Sequence, residues 1–75
     1  MKINREIDAR GFTCPIPILK AKRALSEMQT GDVLRVLATD AGTIKDFQAY
    51  ATQSGNELVS QQALATDFYH VLRRR

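Results

Sequence analysis

The chain is predicted to fold as an α+β protein, a two-layer α/β sandwich of order βαβαββ whose four-stranded sheet carries two helices on one face. Three observations lead there. Two segments of helical periodicity alternate with short apolar strands, and two strand-like runs close the chain. Two successive right-handed crossovers that move the same way across a sheet place both helices on the same side. Seventy-five residues leave room for a single domain, 1–75, and a chain this short buries only roughly 60% of its unfolded surface.

Ile3, Arg5 and Ile7 alternate with Asn4, Glu6 and Asp8, which predicts a first strand whose apolar face is broken by an arginine. Ala9 to Thr13 has no period, and Gly11 can take a turn conformation that strains other residues, so this stretch reads as a strand-to-helix loop. From Pro15 to about Gln29, Ile18, Ala21, Leu25 and Met28 recur at helical spacing, with Lys20, Lys22, Arg23 and Glu27 on the opposite side and Gly31 as the stop. Pro15 and Pro17 fall in the first turn, where backbone N–H groups have no partner within the helix to lose.

Val33 to Ala38 is nearly continuous in apolar residues and reads as a central strand. Ile44, Phe47 and Ala51 form the stripe of a second helix, with Lys45, Asp46, Gln48 and Thr52 outward, Gly55-Asn56 as its end, and Thr43 or Asp40 as its cap. A third strand begins at Leu58-Val59 and turns polar through Gln62, and Phe68 to Leu72 makes the fourth.

Charge and cysteine usage narrow the function classes. Eleven basic against eight acidic residues leave a net +3, and Arg73, Arg74 and Arg75 read as a solvated tail. One cysteine makes no internal disulfide, and Met1 to Glu6 holds no apolar leader core, so the cytoplasm is the expected location. No run approaches the roughly 18 apolar residues of a membrane span. So small a domain has little room for an enclosed pocket, which argues for a relay component rather than a stand-alone enzyme.

The segment Gly11-Phe12-Thr13-Cys14-Pro15-Ile16-Pro17 sets a thiol just ahead of a helix. A lone cysteine is more often a small buried hydrophobe, yet Cys14 lies outside both the strand alternation and the helix stripe, so packing does not require it. At a helix start the dipole and free N–H groups, here those of Cys14 and Ile16, favour a thiolate. There is no second cysteine to resolve a disulfide and no cluster with metal-ligand spacing. A persulfide on Cys14 suits this setting, since its outer sulfur must leave to another molecule, and no other cofactor is expected. His70, the only histidine, reads as a sheet-face or surface residue rather than a base. Phe68 and Tyr69 beside the arginines resemble an aromatic-plus-basic surface, which motivates the alternative of a nucleic-acid-binding or regulatory module without thiol chemistry.

At Asp8, Gly11, Cys14, Pro15 and Pro17 the chain resembles the TusA-like (SirA-like) sulfur-carrier family, whose signature runs Asp, Gly, then Cys-Pro-x-Pro at a helix start. The likeness continues in Gly31-Asp32-Val33-Leu34, Thr39-Asp40-Ala41-Gly42, Asp46-Phe47 and Gly55-Asn56-Glu57-Leu58. Phe12 stands where the family commonly has leucine, and Ala41 where an Asp-Pro pair is usual. The resemblance implies a mixed sheet like that of the C-terminal domain of translation initiation factor three. It also implies a persulfide on Cys14, with Asp8, Gly11, Pro15 and Pro17 shaping its loop. Sulfur would come from a cysteine desulfurase or rhodanese-type donor and pass to an acceptor protein in transfer-RNA thiolation, cofactor assembly or sulfur oxidation. The basic face Lys20, Lys22 and Arg23 would guide acidic partners, and neither a membrane nor direct nucleic-acid binding is expected.

Overall fold

The computed structural model describes residues 2–75, so Met1, the start of the segment read for a leader, lies outside it. The elements run β1 (Arg5–Ala9), α1 (Ile16–Ser26), β2 (Val33–Ala38), α2 (Thr43–Ser54), β3 (Glu57–Ala63) and β4 (Phe68–Arg73). The sheet is mixed, in the order β1-β2-β4-β3, with β1 parallel to β2 and β4 antiparallel to both of its neighbours. β1 begins two residues later than the alternation suggests, because Asn4 uses its side-chain oxygen to accept the N–H of Val33 at 2.8 Å. None of the described helices is long and apolar enough to cross a membrane.

Both helices pack on one face. Ala21, Ala24 and Leu25 of α1 and Phe47 of α2 share one buried cluster with Ala9, Leu34, Val36 and Leu72 of the sheet. Alternation along β2 explains this, since Leu34, Val36 and Ala38 are buried while Arg35 and Leu37 between them are half-buried on the other face. Arg5 shares the helix-facing side of β1 with Ile7 and Ala9, and it resolves the conflict by reaching over the end of α1 to Glu27 at 2.9 Å.

Two boundaries differ from the sequence expectation. α1 stops at Ser26 rather than at Gly31, because the Arg74 guanidinium takes the carbonyl of Leu25 at 2.6 Å and the turn closes over Glu27 and Met28. α2 does end at Gly55, whose φ of +79° is the left-handed conformation that favours glycine. At its start neither Thr43 nor Asp40 makes a side-chain cap, and Gly42 occupies the cap position.

The three terminal arginines are not a solvated tail. Arg73 ends β4 and pairs with Glu57 at 2.8 Å. The Arg74 N–H donates to Asp32 O and its carbonyl accepts from Gly31 N–H, both at 2.8 Å, and the Arg75 N–H donates to Asn56 Oδ1 at 3.0 Å. A net intramolecular hydrogen bond is worth about 1 kcal/mol, so deleting residues 73–75 is expected to cost about 3 kcal/mol in urea unfolding. An unchanged midpoint would mean that these bonds exchange freely with water.

Candidate functional site

Cys14 is the only cysteine, and its side chain is exposed. It lies one residue before Pro15, which holds the N-cap position of α1, and the Cys14–Pro15 peptide is cis. The loop that carries it is anchored by its backbone. The Cys14 N–H donates to Asp40 Oδ2 at 2.9 Å, and the Gly11 N–H donates to Thr39 Oγ1 at 2.9 Å. Both acceptors belong to the segment joining β2 to α2, which parallel pairing of β1 and β2 brings alongside the loop after β1. Asp40 also accepts the N–H of Gly42 through Oδ1 at 2.9 Å, and these two N–H groups hold its carboxyl below the ordinary carboxylate value.

The thiol's electrostatics reverse the expectation of a thiolate. Asp46 is the principal cause, since it faces the thiol and favours the protonated form, with desolvation and the charge of Asp40 adding in the same direction; together they raise the Cys14 pKa above its ordinary value. The two N–H groups expected to stabilise a thiolate are already committed, that of Cys14 to Asp40 and that of Ile16 to the Thr13 carbonyl at 2.9 Å. Asp46 Oδ2 is buried without a hydrogen-bond partner among the described residues. In alkylation against pH, Cys14 is expected to titrate above a free cysteine, and Asp46→Asn is expected to lower the midpoint by removing the largest cause. A wild-type midpoint below about 8.5 would show that the helix dipole prevails.

The remaining sequence-predicted residues take distinct places. Asp8 does not reach Cys14; it binds Arg10 through Nε at 2.9 Å and Nη2 at 2.8 Å, and that guanidinium holds its carboxyl down at about 2. Arg10 also approaches Asp67 at 3.7 Å, so Asp8 shapes the base of the loop from the β1 end. Pro17 is fully buried beneath the loop, whereas Pro15 is exposed. Gly11 has φ +85° with nothing near the position a Cβ would take, so Gly11→Ala is expected to cost about 1 kcal/mol of purely backbone origin. Gly11→Asn should cost less, and equal urea midpoints for wild type and both variants would refute the assignment.

Asp40 and Asp46 were not among the site residues the sequence singled out. The helical spacing puts Asp46 outward, yet it is half-buried in the first turn of α2 and turned toward Cys14. The available signal was its place one residue before the buried Phe47, at the flank of the stripe rather than opposite it. Of the basic face on α1, Lys20 lies over the Phe12 ring at 4.8 Å beside the site, and exposed Ile16 and Leu19 adjoin it. Lys22 instead lines a cleft at the other end of the helices with Arg74 and Arg75. Phe68 and Tyr69, adjacent in β4, point to opposite faces of the sheet and do not form one aromatic surface; Arg35 lies over Tyr69 at 5.6 Å.

Comparison with known proteins gives a consistent picture. The family described as "Sulfurtransferase TusA" matches residues 5–74. The sulfur carrier protein TusA of Allochromatium vinosum is 45% identical over 71 residues, which cover 95% of this chain and 93% of that protein. The sulfur carrier protein TusA of Pseudomonas syringae is 31% identical over 75 residues, covering 100% of this chain and 89% of that one. The crystal structure of a SirA-like protein from Desulfitobacterium hafniense superimposes with a TM-score of 0.82 at 28% identity, covering 92% of this chain and 95% of the other.

Proposed function

The chain belongs to the TusA sulfurtransferase family, and from that membership we propose that it is a sulfur carrier whose working atom is Cys14 Sγ. The observation that carries this reading is an exposed single thiol on a loop anchored to Asp40, with no second cysteine in the chain to resolve a disulfide.

The step conserves atoms and electrons. Cys14 Sγ attacks the outer sulfur of a donor protein's persulfide, a new S–S bond forms on Cys14, and the donor's inner S–S bond breaks. The donor cysteine leaves as a thiolate, and the proton lost by Cys14 makes up the balance on it. Asp46, which faces the thiol, is the group at hand to relay that proton to the leaving thiolate. Outer sulfur then passes to an acceptor's nucleophile by the same exchange.

A thiol held protonated by two carboxylates is quiet in the free protein, because the thiolate is the reactive form. A donor that brings positive charge to Asp40 and Asp46 would release it, which couples activation to docking. Exposed Phe12, Ile16 and Leu19, close to Cys14 in the chain, and Lys20 over the Phe12 ring offer a contact surface for a cysteine desulfurase or rhodanese-type donor. The acceptor belongs to transfer-RNA thiolation, cofactor assembly or sulfur oxidation.

Intact-mass spectrometry after incubation with a cysteine desulfurase and cysteine tests this reading. One added sulfur, mapped to Cys14 and removed by reductant, is the expected result. A chain that gains no sulfur from desulfurase or rhodanese donors would refute it.

A further inference from the structure

We infer that His70 is a positioning residue for Cys14, acting through Thr43 and Asp40 along a continuous chain of hydrogen bonds from the core to the thiol loop. This rests on the carrier reading for its consequence, though not for its geometry. His70 is fully buried on the helix-facing side of β4, opposite Val36, and its ring stacks on Phe47 at 4.5 Å between centroids and 20° between planes. A leucine or phenylalanine would fill the same space without the desolvation that a buried polar ring costs unless both nitrogens are satisfied. Both are satisfied, Nε2 by Thr43 Oγ1 at 2.8 Å and Nδ1 by Gln61 Nε2 at 3.0 Å.

The direction of each bond follows from its neighbours. The Thr43 hydroxyl gives its one hydrogen to the Asp40 carbonyl at 2.7 Å, so toward His70 it can only accept, and Nε2 carries the ring hydrogen. Gln61 Nε2 also donates to Ile44 O at 3.0 Å, and Gln61 Oε1 accepts from Gln48 Nε2 at 3.1 Å, which orients the amide with its N–H toward Nδ1. The ring is therefore neutral with a single tautomer, in keeping with burial that pushes its pKa down to about 4.

The chain ends at the thiol loop. The Asp40 carbonyl is held twice, by the hydroxyl and by the N–H of Thr43 at 3.0 Å, and the same residue's Oδ2 holds the Cys14 N–H. The loop from Arg10 to Ile16 is exposed throughout, so packing does little to place it. Asp40 places Cys14 directly, beside the second anchor of Gly11 on Thr39, and the Thr43 hydroxyl locked by His70 adds to the N–H groups of Thr43 and Gly42 in placing Asp40.

Two pairs of variants test this, each with a conservative rescue. Thr43→Val and His70→Phe keep volume and remove the bonds; Thr43→Ser and His70→Gln retain the hydroxyl and the N–H. Amide hydrogen exchange at Cys14, referred to the exchange of core amides in the same sample, is expected to speed up about tenfold in the first two and to return toward wild type in the second two. Sulfur loading of Cys14 is expected to slow in parallel. Selective loss at Cys14 is something a general loss of stability would not produce. Should His70→Phe fail to fold, His70→Leu takes its place, while Thr43→Val tests the Thr43–Asp40 link through which His70 acts. Unchanged Cys14 exchange in a folded Thr43→Val protein overturns the inference. Wild-type protein that takes no sulfur refutes the carrier reading instead, and the exchange result still judges the role of His70.

Discussion

Cys14→Ser is expected to lose sulfur loading completely while keeping the fold and the docking of the donor. The loop is held by the backbone N–H of Cys14 on Asp40 and by that of Gly11 on Thr39, and neither bond uses the thiol. Serine is close to cysteine in size and the position is exposed, so stability should change by less than about 0.5 kcal/mol. Pro15 is the N-cap, so a serine at position 14 gains none of the stabilisation that a capping serine brings. A hydroxyl is not ionised at neutral pH, and neither Asp40 nor Asp46 is a strong enough base to make it a nucleophile. Circular dichroism, donor binding and the persulfide mass shift on one preparation separate these effects. A serine variant that still supported downstream thiolation in cells lacking other carriers would defeat the assignment of Cys14.

Phe47→Ala is expected to destabilise the protein by about 3–5 kcal/mol, the usual range for a fully buried phenylalanine cut back to alanine. Phe47 has no exposed surface, sits in the shared cluster under both helices and stacks on His70. At about 0.05–0.15 kcal/mol per residue, a chain of 75 residues has about 4–11 kcal/mol in all, so the variant loses a large share of its stability. Phe47→Leu, which leaves most of the volume in place, should cost markedly less. Urea midpoints at constant m-value give both quantities. A loss below about 1 kcal/mol for Phe47→Ala would mean that the helices close over the gap, and that α2 is held by other contacts.

The sequence singles out Cys14 and expects a thiolate there, whereas the carboxylate of Asp46 facing the thiol pushes its pKa the other way. Cys14 was legible because it broke the periodicities on either side of it, and a residue that packing does not require stands out without any coordinates. The upward push on its thiol pKa was not legible. It depends on Asp46, 32 positions further along the chain, and half a turn of rotation of α2 would have placed that carboxylate in solvent. The arginine run failed for a similar reason. Three like charges at a terminus are normally solvated, but β4 runs between β2 and β3, and this order delivers Arg74 to the open end of α1.

Local pattern alone determined the order of elements, the buried faces of α1 and β2, the end of α2 at Gly55 and the loop that presents Cys14. Each depends on spacings of two to four residues, which the backbone's own periods impose. Tertiary structure decided the rest, and β3 shows the physical reason. Leu58 faces the helices opposite Leu72, and strict alternation would then put Ser60 and Gln62 on that side. A bulge between Leu58 and Ser60 inserts one residue and reverses the parity, so Gln61 lies opposite His70 instead. That single extra residue completes the hydrogen-bond chain through Thr43 and Asp40 to Cys14. Where the bulge falls depends on pairing with β4 and is not written in the alternation of β3 itself.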